Sequence, residues 1–287
     1  MSVELINLPS TYSLMAKNSN AELVGIITQS KYLAIGSLVQ FFNDESGLIV
    51  VQGKPEEKIA TDIFKLYHHR CSAREAIKEV EEQDEFSDYR QIAFLPFLGD
   101  GCIFTGDKLK EVKFGIVKPN CISIGNFLKN TNVIYSIIEK FEAVAKNDKF
   151  SKALLEGLKM GLKNGGEKRG QQSAAIKIWK KHESRYLKIM DLRVDDSEYA
   201  IEELEKLIQK YYLYMTPGNL SNAMENCNEV QKVVGKVLEA AKIRYSDLGE
   251  KITLENLYRI ENLENKWISK QFIDRDAFNF LKSKFLQ

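Results

Sequence analysis

Apolar positions fall in short runs near the start of the chain and at helical spacing further on, and the two patterns alternate in blocks. Residues 11–17 and 21–28 read as two strands joined by the turn Asn18-Ser19-Asn20, a hairpin signal. Residues 47–51 read as a short buried strand. Two helices follow. Pro55 sits where a first-turn proline belongs, and Ile59, Ile63, Leu66 and Tyr67 share a face. Ser72 and Glu75 form a capping box opening the second helix, with Ala76, Ile77 and Val80 apolar. Strands return at 89–95, 101–105 and 121–124. Helices follow at 131–146 and 151–164, then strands at 173–179 and 186–194 and a helix at 197–212. Strands and paired helices in alternating blocks predict an α+β fold, not a regular βαβ alternation.

The stretch Met215–Asn219, containing Pro217 and Gly218, reads as a linker, and beyond it the pattern is helical at 220–243, 253–267 and 274–285. The expected organisation is a lead segment 1–10, a main domain 11–215 and an all-α C-terminal extension 216–287.

The chain has 287 residues, 44% of them hydrophobic and 28% charged, which suits a soluble globular protein. A net charge of +1 argues against binding to nucleic acid or anionic membrane through bulk charge. The local basic cluster Lys177, Lys180, Lys181, Arg185 and Lys188 reads as a solvated hairpin tip. No apolar run approaches the length of a transmembrane helix, and the N-terminus lacks the pattern of a secretory signal. Cys71, Cys102, Cys121 and Cys227 are widely spaced, and His68, His69 and His182 make no metal pattern. The expectations are reduced thiols, a cytoplasmic location, and no metal or cofactor. The expected partner is a small-molecule substrate or ligand, with self-association as a homo-oligomer open.

The segment Gly165-Gly166-Glu167-Lys168-Arg169-Gly170-Gln171-Gln172-Ser173 packs three glycines and three charges between a helix and a strand. Glycines let backbone approach a partner closely or adopt positive φ. Read from the residues alone, this is a charged surface loop with a helix cap at Gly165.

Several motifs in chain order give the chain a wider likeness. They are Thr11–Asn18, Gln29–Gly36, Val51-Gln52, Tyr89-Arg90-Gln91, Thr105-Gly106, Gly125–Leu128, the Gly165–Ser173 segment and Asp191–Asp196. Together they resemble the domain-of-unknown-function family numbered 1028, over about residues 11–212. The resemblance implies an N-terminal-nucleophile (Ntn) hydrolase-like fold, a four-layer αββα sandwich. The segments Leu257–Trp267, Ile273-Asp274 and Phe280-Leu281 are similar to a helical module appended to that family, for which peptidoglycan binding has been proposed. The chain departs from the family pattern in four places: ten residues precede Thr11, Glu167 replaces an Asp, Gln171 replaces an Arg, and Leu95-Pro96-Phe97 stands where an Asp is usual.

The resemblance implies that Thr11 is the nucleophile of an amide-cleaving reaction, with its own free α-amine as base, once residues 1–10 are removed. Ser13, two residues on, falls on the same strand face. Ser30 and Lys31 end the second strand, where the fold has its cleft; Lys31 can hold an anionic group or simply snorkel. Gln52 and Asn126 can donate to an oxyanion or satisfy buried backbone groups. Lys168 and Arg169 can fix a substrate carboxylate or anchor the loop to Asp195 or Asp196. Two further readings stand beside hydrolysis: a non-catalytic member of the fold that binds a small ligand or partner, and a structural subunit assembling through its helical tail.

Overall fold

A computed structural model describes residues 8–69, 71–146, 149–249 and 251–286, so most of the lead segment, residues 1–7, lies outside the described residues. The main part begins with the hairpin β1 (Thr11–Lys17) and β2 (Leu23–Ser30), followed by β3 (Gln40–Asn43) and β4 (Gly47–Gly53). Next come α1 (Glu57–His68), α2 (Ala73–Gln83), β5 (Arg90–Pro96), β6 (Cys102–Thr105), β7 (Phe114–Lys118) and β8 (Cys121–Gly125). The series closes with α3 (Asn132–Ala145), α4 (Phe150–Lys163), β9 (Ser173–His182), β10 (Arg185–Val194) and α5 (Ala200–Met215).

Both large sheets are antiparallel. One has the order β10-β9-β2-β1-β8-β7, the other β3-β4-β5-β6. The first hairpin forms for the reason its turn predicts: Asn18 accepts from Leu23 N through its side chain at 3.0 Å and from Ala21 N through its carbonyl at 2.9 Å. This sets the register that places Thr11 opposite Ser30. The predicted capping box on α2 is present, with Ser72 and Glu75 exchanging bonds.

Strand alternation sorts the side chains into layers. Ile49, Val51, Ile92 and Phe94 face α1 and α2, packing on Ile59, Ile63, Ala76, Ile77 and Val80. Leu48, Val50, Ala93 and Leu95 face the other sheet and meet Met15, Val24, Ile26, Ile122 and Ile124. The remaining face of the six-stranded sheet is covered by α3 and α4. A side chain at Gly157 would press on Leu14, and one at Gly25 on Leu154. The layers therefore run helix, sheet, sheet, helix.

Two strands of the main part are absent from the sequence expectation. β3 is only four residues, and β7 is an edge strand whose last positions are exposed. The strand expected at 173–179 extends to His182.

The chain divides between Lys206 and Leu207, inside α5. The C-terminal unit holds β11 (Ala223–Glu225), α6 (Asn228–Arg244), α7 (Leu254–Ile260), β12 (Phe272–Asp274) and α8 (Arg275–Phe285). Its core is built from Val237, Ala241, Leu257, Tyr258, Leu263, Ala277 and Leu281. It is helical, but β11 and β12 pair as a short ribbon where the sequence predicts unbroken helix and coil. Asp274 caps α8, accepting from Asp276 N and Ala277 N. Cys71, Cys102, Cys121 and Cys227 are free thiols, and burial pushes Cys121 up to about 12. No helix among the described residues is long and apolar enough to cross a membrane.

Candidate functional site: a buried polar end between the two sheets

At one end of the inter-sheet layer the inward residues change from apolar to polar. β1 presents Thr11 and Ser13, β2 presents Thr28 and Ser30, β4 presents Gln52 and β5 presents Gln91, all fully buried. Such groups are tolerated only where each finds a partner, and here they find one another. Thr11 Oγ1 donates to Ser30 Oγ at 3.2 Å, and Ser30 Oγ donates to the Ser10 carbonyl at 2.7 Å. Ser13 Oγ donates to Gln52 Oε1 at 3.0 Å and lies 2.9 Å from Thr28 Oγ1. Gln52 Nε2 donates both to the Thr11 carbonyl at 3.0 Å and to Gln91 Oε1 at 2.8 Å.

Asn126, just past β8, closes the cluster. Its backbone N–H donates to the Thr11 carbonyl at 3.0 Å, and its Nδ2 donates to Gln91 Oε1 at 3.3 Å. Two N–H groups, from Gln52 and Asn126, thus converge on one carbonyl oxygen. Both therefore satisfy a buried backbone group, the Thr11 carbonyl.

The Gly165–Ser173 segment borders the same end. Gly165, Gly166 and Gly170 have φ of 116°, 54° and 99°, which explains why glycines stand there. Gln29 Nε2 donates to the Gly170 carbonyl at 3.2 Å, and Lys31 Nζ to the Gln171 carbonyl at 3.0 Å. Arg169 is paired within the loop: its Nε and Nη2 hold the two oxygens of buried Glu167 at 3.0 and 3.1 Å. Its partner is therefore Glu167, not Asp195 or Asp196. Lys168 is exposed and donates to the Glu111 carbonyl at 3.3 Å. Lys110, Lys168 and Arg169 nevertheless share a neighbour. Their cationic groups lie 5.2, 5.4 and 5.5 Å from the centre of the half-buried Phe127 ring, next to Asn126.

Of the residues expected at the site, Thr11, Ser13, Ser30, Gln52 and Asn126 lie in one hydrogen-bonded cluster. Lys31 engages the glycine-rich loop, and Lys168 and Arg169 stand on the Phe127 side of it. Sequence reasoning overlooked the linking roles of Gln91 and Thr28. A signal was present in both, since each is polar at the end of an otherwise apolar strand. Tyr12 and Gln29 sit on the opposite face of the hairpin, under the helices, where the Tyr12 hydroxyl and Gln29 Oε1 have no hydrogen-bond partner among the described residues. Burial, then the Glu202 and Glu167 carboxylates, raise the Tyr12 pKa above its ordinary value. Among the described residues no group of three His, Cys, Asp or Glu side chains could hold a metal ion.

Fold and site together define an αββα protein with a buried polar end built around the first residue of β1. The chain belongs to the Family of unknown function (DUF1028), whose model matches residues 11–204. Among solved structures it is similar to protein SPO2555 from Silicibacter pomeroyi, itself a DUF1028 protein. Identity there is 25% with a TM-score of 0.63, and the match covers 71% of this chain and 89% of that one. A mutant of Anbu from Hyphomicrobium sp. strain MC1 matches at 11% identity, covering 70% of this chain and 95% of that chain; its TM-score is 0.34, too low to carry an argument. No curated protein matches.

Proposed function

We propose that this protein is the precursor of an N-terminal-nucleophile hydrolase. In this reading Thr11 becomes the nucleophile for an amide or related bond of a small substrate once the Ser10–Thr11 bond is cut. The observation that carries it is the chain of bonds from Thr11 Oγ1 to Ser30 Oγ to the Ser10 carbonyl, at 3.2 and 2.7 Å. Ser30 polarises the carbonyl that a Thr11 hydroxyl must attack. In the cleavage step Thr11 Oγ1 bonds to the Ser10 carbonyl carbon, the C–N bond breaks, and the Thr11 nitrogen keeps the electron pair and takes a proton. Water then hydrolyses the ester, leaving the Ser10 carboxylate, a free Thr11 hydroxyl and a free α-amine. That amine is the base a Thr nucleophile uses.

After cleavage, Asn126 N–H and Gln52 Nε2 remain beside the new N-terminus as positioning donors. Ser13 holds Gln52 in place, Arg169 is kept by Glu167 within the loop, and Lys31 and Lys168 supply charge for an anionic group of the substrate. The test is a time course of the N-terminus of the purified protein. The wild type should come to begin at Thr11, Thr11→Ala should keep the lead, and Ser30→Ala should cleave more slowly. Identical, uncleaved termini in all three would reject the mechanism.

A second reading draws on a different observation. Thr11 is fully buried behind Pro9 and Ser10, and both its hydroxyl and its carbonyl are hydrogen-bonded. If the lead is never removed, this end is a rigid polar core in a non-catalytic member of the fold. In that case Thr11→Val should change stability and nothing else.

A further inference from the structure

Chemistry fixes the direction of each hydrogen bond at the Ser10–Thr11 peptide. Ser30 Oγ carries one hydrogen, and the Ser10 carbonyl, 2.7 Å away, can only accept it. The bond between the two hydroxyls, at 3.2 Å, therefore takes its hydrogen from Thr11 Oγ1. The hydrogens point one way along the series, from Thr11 to Ser30 to the carbonyl oxygen. Hairpin register, which sets Thr11 opposite Ser30, holds the series together.

The surroundings supply no other acceptor for the Thr11 proton. Thr11 is wholly buried and Ser10 is 1% exposed, which keeps bulk water and buffer away from both. Gln52 Nε2 and Asn126 N–H are donors aimed at the Thr11 carbonyl, and Ser13, Thr28 and Gln91 around them are neutral side chains. The charged groups of the bordering elements are engaged elsewhere. On β2, Lys31 donates to the Gln171 carbonyl. In the glycine-rich loop Glu167 holds Arg169, and Lys168 reaches the Glu111 carbonyl. At the start of α5, Glu202 accepts from Gln171. Arg90, next to Gln91 on β5, alternates to the other face and is held by Asp84 and Glu56. Tyr12 likewise lies on the opposite face of β1. Among the described residues no carboxylate, imidazole, amine or thiol is bonded to the Thr11 hydroxyl, the Ser30 hydroxyl or the Ser10 carbonyl.

We infer that Ser30 is a catalytic proton relay through which the Ser10–Thr11 bond breaks without a titrating base, so that folding, and not pH, starts maturation; this rests on the precursor reading above. As Thr11 Oγ1 bonds to the Ser10 carbonyl carbon, its proton passes to Ser30 Oγ, and the Ser30 proton passes to the carbonyl oxygen. The adduct is neutral. On its collapse the C–N bond breaks and the Thr11 nitrogen keeps the electron pair. The proton held on the oxygen goes to that nitrogen as the ester carbonyl re-forms. One amide and one hydroxyl become one ester and one amine, no proton enters or leaves, and Ser30 ends as a hydroxyl. If Ser30 merely polarised the carbonyl, the Thr11 proton would need hydroxide, buffer or an ionising side chain to accept it. The rate would then climb with pH.

The test times cleavage of the full chain, captured unfolded in urea from cell-free synthesis. It is diluted into buffers between about pH 6 and about pH 9, the span over which imidazole, α-amine and thiol groups ionise. Intact mass follows release of the segment before Thr11, and fluorescence of Trp179 and Trp267 follows folding. The wild type should cleave with first-order kinetics, at a rate that ignores buffer concentration and stays within about twofold across the span. Ser30→Ala should fold and cleave about a hundredfold more slowly or worse, the usual effect of losing a positioned proton-transfer group. Its residual rate should rise with pH, as hydroxide replaces the lost acceptor. Three results would overturn the relay and leave the precursor reading standing: a wild-type rate that climbs with pH or buffer, a Ser30→Ala variant as fast as the wild type, or a slower one with the same flat profile. A wild type that folds and is never cleaved would reject both.

Discussion

The layer between the sheets has two ends made by the same strands on the same face, and they differ in chemistry. Toward one end β1, β2, β4 and β5 contribute Met15, Val24, Ile26, Leu48, Val50, Ala93 and Leu95. Toward the other they contribute Thr11, Ser13, Thr28, Ser30, Gln52 and Gln91. Burial is nearly complete at both. The apolar end is what a sandwich needs in order to fold. The polar end replaces dispersion and hydrophobic gain with hydrogen bonds whose net contribution is small, and each of its members depends on its neighbours remaining in place. That departure from the local rule is what singles this end out as the candidate site.

Substitutions at the two ends should separate these contributions, with urea unfolding as the measurement. The largest loss is expected at the apolar end, where Ile26→Ala or Leu48→Ala should cost about 2–5 kcal/mol through a cavity that cannot collapse. At the polar end Gln91→Leu should cost about 2 kcal/mol or more, because it strands donors on Gln52 and Asn126 and the Gly125 carbonyl together. A stabilising Gln91→Leu would mean that the network is not tightly satisfied. Ser13→Ala should cost about 1–2 kcal/mol: Thr28 keeps its bond from Gln40, but Gln52 Oε1 loses the Ser13 donor.

The smallest effect at neutral pH belongs to the outer face of the same strand. Tyr12→Phe removes a hydroxyl with no partner among the described residues, so stability there should stay within about 0.5 kcal/mol. At alkaline pH the variant should gain on the wild type. The folded Tyr12 pKa lies above its ordinary 10.0, so above that pH the unfolded chain ionises while the folded one does not. The stability Tyr12 contributes is therefore complete below pH 10 and lost as pH rises beyond it. Parallel pH profiles for the two proteins above that point would contradict the burial of Tyr12.

The elements with strong local signals were legible from the sequence: the Asn18 turn, the Ser72–Glu75 box, the helical spacing of α3 and α4, and the glycines of the 165–173 loop. Those that depend on pairing with a distant partner were not. β3 and β7 are strands because β4 and β8 are beside them, and β11 because β12 returns to it. The site shows the same division. Thr11 and Ser13 fall on one face by strand alternation alone, and Thr11 meets Ser30 through hairpin register. That Gln52 and Gln91 complete the cluster follows only from stacking one sheet on the other, which no local pattern encodes. Likewise Arg169 turns to Glu167 two residues away, because a buried carboxylate in the same loop is a closer partner than the aspartates after β10.

The central claim is that Thr11 is made into an N-terminus. The most direct measurement is the intact mass of the protein purified from its native host. The account predicts a chain that begins at Thr11, lighter by residues 1–10. A chain that keeps Ser10 joined to Thr11 while hydrolysing an amide substrate would contradict it.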